Sequence, residues 1–67
     1  MDYKNLAKLI LDGKVTLRKE SYARGYISRK SDGIVEEYTG RYGKGYKLHI
    51  PCYISTRYHF VYYYIFK

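Results

Sequence analysis

What this chain lacks narrows it first. A single cysteine, Cys52, rules out an internal disulfide, and with only two histidines the chain cannot assemble a four-ligand zinc site from histidine and cysteine. No stretch approaches the ~18 consecutive apolar residues of a membrane span. Nor does the sequence open on a basic-then-apolar leader with a small-residue cleavage site, so a cytoplasmic location without a membrane partner is expected. The most informative absence is that of acid from the second half. All six Asp/Glu lie in residues 1–37 beside eight of the thirteen Lys/Arg, which leaves five cations and no carboxylate side chain in residues 38–67.

Sixty-seven residues make one small domain, and a chain of this size buries only about 60% of the surface it exposes when unfolded. Without disulfide or metal, the stabilising surplus must come from association or from an unusually aromatic core. Eleven tyrosines against two phenylalanines and no tryptophan favour the aromatic core. Each ring removes a large apolar area from water while its hydroxyl stays at the wet rim.

The hydrophobic period gives the elements. Residues 2–12 read as an amphipathic helix, with Asp2 as N-cap, Tyr3, Leu6, Leu9 and Ile10 on one stripe and Lys4, Asn5 and Lys8 facing away. Gly13 suits the C-terminal cap. Alternation then predicts strands over 15–18, 22–30, 34–42, 46–50 and 57–66, with Lys19-Glu20-Ser21 as a polar break. Ser31-Asp32-Gly33 is a hairpin signal between the second and third of these. Glycines at 40, 43 and 45 argue for a second turn or a sharply twisted ribbon, and Pro51 ends a strand. Tyr58–Phe66 is apolar on both faces and therefore central, with the helix as the cover for one side. The expected fold class is α+β, a short N-terminal helix on a three- to four-stranded antiparallel sheet. Exposed aromatic edges in such a sheet invite pairing, which makes a homodimer a candidate state.

For function, the charge of +7 favours an anionic partner. Phosphates need cations and bases need flat rings. Arg24, Tyr26, Arg29, Lys30, Arg41, Tyr42, Lys44, Tyr46, Lys47 and Arg57 interleave the two, with Arg41, Lys44, Lys47 and Arg57 as phosphate contacts and Tyr42 and Tyr46 as stacking rings. The stretch 40–47 is expected to form the rim of one sheet surface shared with Arg24, Tyr26 and Arg57. Gly43-Lys44-Gly45 is not a nucleotide loop, because the spacing of that motif and the helix after it are missing. The expected function is therefore a non-catalytic, cofactor-free module that binds DNA or RNA. The competing expectation is an inhibitor or adaptor of the phage or mobile-element kind, such as an anti-defence protein, that binds an acidic surface of a host protein or ribonucleoprotein complex. Tyr and Arg serve protein interfaces equally well.

Catalytic and metal sites are poorly supported. Glu36 and Glu37 are neighbours on a strand, so their carboxylates point to opposite faces. His49, Cys52 and His59 form a loose set without a fourth ligand, and a packed or hydrogen-bonded histidine is the simpler role for His59.

Overall fold

The computed structural model describes residues 2–67. A single helix, α1 (Tyr3–Leu11), is followed by strands β1 (Val15–Arg24), β2 (Ile34–Gly40), β3 (Gly43–Pro51) and β4 (Tyr58–Phe66). The strands form one four-stranded antiparallel sheet in the order β1-β4-β3-β2. The α+β class is as expected.

Local signals built the helix. Asp2 Oδ1 accepts from the Asn5 amide at 2.9 Å, satisfying a donor that the first turn leaves free. At the other end Gly13 N–H donates to Ile10 O and Lys14 N–H to Leu9 O, at 3.1 and 3.0 Å, the paired bonds of a Schellman cap. Nine residues are too few to hold a helix in water unaided. Leu6, fully buried, is what docks it. The helix bridges the two edge strands, β1 and β2. Tyr3 and Leu48 both approach Gly33, which fixes the covered face as the one carrying Leu48. By register, Tyr46, Tyr62, Tyr64, Phe60 and Phe66 share that face. Burial first, and then the neighbouring Tyr62, Tyr3 and Glu20, push the Tyr64 hydroxyl above its ordinary pKa.

The opposite face holds Tyr38, Lys47, His49, His59, Val61, Tyr63 and Ile65. No helix covers it, yet Val61 and Ile65 are buried among the rings around them. The core is consequently small: Leu6, Val15, Leu48, Cys52, Val61 and Ile65.

Strand boundaries differ from expectation in three places, each for a physical reason. Val15–Arg24 is one strand that runs through Lys19-Glu20-Ser21, where a break was expected. It lies at the edge and pairs only with β4, so polar side chains cost little there, and a bulge at Arg18 absorbs the change of register. Residues 25–33 are a connection, not the continuation of a strand over 22–30. Ser28 Oγ accepts from the Lys30 amide and Ser31 Oγ from the Gly33 amide, so hydroxyls take amides that a ladder would have used. Asp32-Gly33 is therefore no hairpin turn: β1 pairs with β4, and β2 pairs with β3.

The true hairpin joins β2 to β3 through Arg41 and Tyr42, with Gly40 opposite Gly43. The strands thus end and begin at Gly40 and Gly43, not at 42 and 46. Gly43 carries a φ of +119°, which a side chain would strain. Gly45 is buried where β3 meets β4, and a Cβ there would collide with the Tyr64 carbonyl oxygen. The other expectations for β3 and β4 match: Pro51 is the last residue of β3, and β4 is central.

Candidate functional site

The sequence-derived binding residues do not form one surface. They divide between the two ends of the sheet. Arg41, Tyr42, Lys44, Tyr46 and Lys47 belong to the β2–β3 hairpin. Arg24 ends β1, and Tyr26, Arg29, Lys30 and Arg57 sit in the loops at the opposite end. Arg24 lies across from Tyr58 and Gly45 across from Ile65, a separation along β4 of roughly 20 Å at ~3.3 Å per residue. The expected rim shared by 40–47 with Arg24, Tyr26 and Arg57 is therefore absent. The strand that 40–47 pairs with is itself what holds the two groups apart.

At the hairpin end, three tyrosines interlock. Tyr38 meets Tyr63 edge-on at 5.0 Å and Tyr42 meets Tyr63 at 5.7 Å, while the Tyr42 amide donates to the Tyr38 hydroxyl. The Lys47 ammonium stands over both Tyr38 and Tyr63, 5.9 Å from each ring centre, with Glu36 directly across the ladder. Lys47, half-buried, is thereby engaged with the rings of its own sheet. Tyr42 is half-buried in the same cluster, and Tyr46 packs edge-on against Phe66 at 5.6 Å. Both tyrosines already make edge contacts with rings of their own sheet.

The exposed cations of this end are Arg41 and Lys44, joined by two that sequence reasoning missed. Val15 pairs with Phe66 and the Lys67 amide donates to Lys14 O, so Lys14 and Lys67 arrive beside the hairpin. The neighbouring carboxylates are Asp12, at the helix cap, and Glu37, which shares a cleft of about 240 Å³ with Lys44, Tyr46 and Phe66. The only signal for Lys14 and Lys67 was the closure of the last strand onto the first, which no local pattern reveals.

The loop end is tied down by hydrogen bonds. Gly25 N–H donates to Arg57 O, and the Tyr53 hydroxyl donates to Arg29 O at 3.2 Å. Beneath them, a chain of polar groups crosses the sheet: Glu36 Oε1 is 3.3 Å from His49 Nε2, His49 Nδ1 is 2.8 Å from His59 Nε2, and His59 Nδ1 is 3.2 Å from Gly25 O. A carbonyl can only accept, so His59 carries its hydrogen on Nδ1 and its Nε2 accepts from His49 Nδ1–H. Neutral His49 then faces the Glu36 carboxylate with a lone pair. Burial lowers the pKa of His49, the Glu36 carboxylate opposes that shift, and His59 and Lys47 add to it. The chain joins β2, β3 and β4 to the start of loop 25–33. Cys52 is buried and free, and among the described residues its thiol makes no hydrogen bond to a base. Among the described residues, no three His, Cys, Asp or Glu side chains are grouped to hold a metal ion, and no helix is long and apolar enough to cross a membrane.

Glu36 lies across from Lys47 and Glu37 across from Tyr46, on opposite faces, so the two carboxylates cannot act on one substrate atom. On the helix-covered face of the loop end, β1, β4 and loop 52–57 enclose an apolar groove of about 390 Å³, lined by Tyr22, Cys52, Ile54, Ser55, Tyr58 and Phe60. No protein family, curated protein or solved structure matches this chain.

Proposed function

We propose that the protein is a small, non-catalytic module that binds the nucleic-acid backbone through the hairpin end of its sheet. The observation that carries this reading is the gathering of Arg41, Lys44, Lys14 and Lys67, drawn from the turn and three strand ends, along one side of the molecule. Neighbouring strands lie ~4.8 Å apart, so these cations span a width suited to tracking a phosphate backbone. Arg18, exposed at the bulge of edge strand β1, adds a further cation on that edge. The rings of this end are engaged with one another, which favours contact with phosphate over readout of bases.

The test is fluorescence anisotropy with a labelled single strand and the matching duplex. Four phosphate contacts predict an affinity loss of about a hundredfold between about 50 and 200 mM salt. Binding that ignores salt over that range, or that survives combined replacement of Arg41, Lys44 and Lys67 by Ala, would falsify the assignment.

A further inference from the structure

We propose that the apolar groove at the loop end is a docking site for a partner protein, receiving a bulky apolar side chain from a segment that carries carboxylates. This does not rest on the nucleic-acid reading, since the groove lies at the far end of the sheet from the hairpin.

The groove's walls are costly to leave wet. Ile54 is 95% exposed and Tyr22 67%, beside a half-exposed Tyr58, and nothing in the fold covers them. An isolated exposed apolar residue is ordinary, but here three converge on one concavity with Phe60 and Cys52 at its floor. The concavity is also held in shape before any partner arrives. Ser55 N–H donates to Cys52 O and Arg57 N–H to Ser55 Oγ, while the Gly25–Arg57 and Tyr53–Arg29 bonds fasten the two loops together. Preformed walls reduce the ordering entropy that binding must overcome.

Charge on the rim selects the occupant. Arg24 shares the face of Tyr22 and Phe60 by register, Arg57 directly precedes Tyr58, and Arg29 lines the narrow crevice that adjoins the groove at Cys52 and Tyr58. Glu20, in the neighbouring cleft with Tyr22 and Tyr62, is the carboxylate on that side. A second copy of this chain would bring the same guanidiniums against these, on a body already at +7. Tyr22 and Phe60 are tilted 45° to each other at 5.1 Å and walled by an aliphatic side chain, an angular concavity that suits a bulky apolar side chain better than a flat base. An apolar anchor flanked by Asp or Glu satisfies both the groove and its rim, and Tyr and Arg are the residues that dominate such interfaces.

The experiment reads anisotropy with three labelled peptides: a Leu-Leu-Phe core flanked by Glu and Asp, the same core flanked by Lys, and the acidic flanks around Ser-Gly-Ser. A labelled oligothymidylate is the fourth probe. The first peptide is expected to bind best, and Ile54→Ser, at a solvent-facing position that leaves the fold intact, weakens it about tenfold or more. Arg24→Glu does the same, while the hairpin replacements at Arg41, Lys44 and Lys67 leave it unchanged. Failure of the first peptide to bind at about 100 µM overturns the proposal, as does equal binding by the Lys-flanked peptide or by the Ile54→Ser protein. If Ile54→Ser instead abolishes oligothymidylate binding or self-association, the groove belongs to nucleic acid or to a second copy, and the proposal is likewise overturned.

Discussion

At the hairpin end β2 and β3 are joined by two residues, Arg41 and Tyr42, whereas at the other end β1 reaches β2 through residues 25–33 and β3 reaches β4 through 52–57. The short connection packs its rings onto each other, so Tyr38, Tyr42 and Tyr63 interlock with the Lys47 ammonium over two of them, and Arg41 and Lys44 stand exposed outside. The long connections are held by backbone, serine and histidine hydrogen bonds, which leave Tyr22, Tyr26, Tyr53 and Ile54 facing solvent. One sheet therefore presents two chemistries: exposed charge beside an aromatic cluster at one end, and exposed apolar surface beside a hydrogen-bonded loop pair at the other. Sequence composition averages these into a single basic, tyrosine-rich impression.

The sharpest way to break the comparison is Gly45→Ala. Its Cβ would strike the Tyr64 carbonyl, part of β4's backbone, which cannot move aside without disturbing the central strand. The expected cost is about 3 kcal/mol by urea denaturation, a large share of the roughly 5 kcal/mol margin of so small a domain. An unchanged midpoint would mean that the hairpin end is loosely packed and the contrast between the ends is overdrawn. Next in size is the combined replacement of Arg41, Lys44 and Lys67 by Ala. It should weaken nucleic-acid binding by about a hundredfold while the unfolding midpoint stays within the spread usual for surface changes, about 0.5 kcal/mol.

Lys47→Met separates the two roles that the hairpin cations can have. Removing the ammonium from between Tyr38 and Tyr63 while keeping its stem should cost about 1 kcal/mol of stability and change nucleic-acid affinity less than about twofold. The opposite pattern, affinity lost and stability kept, would restore Lys47 to the phosphate surface. Lys47 is also where sequence and structure part most instructively. Its neighbours along the chain are glycine, tyrosine and leucine, and nothing local says that Glu36 lies opposite or that Tyr63 lies beneath.

The same distinction runs through the fold. The helix, its Asp2 and Gly13 caps, the Pro51 stop and the central β4 were legible because each depends on residues within one turn or one strand. The pairing of β1 with β4 was not, since it joins the two ends of the chain. Residues 22–30 alternated like a strand, yet Ser28 and Ser31 offered the backbone an alternative that alternation does not register. For the candidate site, the types of residue were legible and their grouping was not. Arg24 and Arg41 belong to one list in sequence and to opposite ends in space, while Lys14 and Lys67, far apart in sequence, meet.

The smallest expected effect tests whether the histidine chain stiffens the loop end alone. Because His49 has its pKa lowered on folding, mainly by burial, the unfolded chain holds the extra proton more readily than the folded one. The unfolded state therefore binds more protons between the folded value and the ordinary one of about 6.5, and stability rises with pH across that window. Stability should be flat above about pH 6.5 and decline as the pH falls below it. Glu36→Gln removes the carboxylate that opposes the shift and should make the decline steeper, while His49→Gln should flatten it. Amide exchange locates the effect: on acidification, protection at Gly25 should fall, because its carbonyl and amide anchor the loop, whereas protection at the turn end of the β2–β3 hairpin, next to Gly40 and Gly43, should hold. Uniform loss at both ends would show that the two ends unfold as one cooperative unit, however differently they are built.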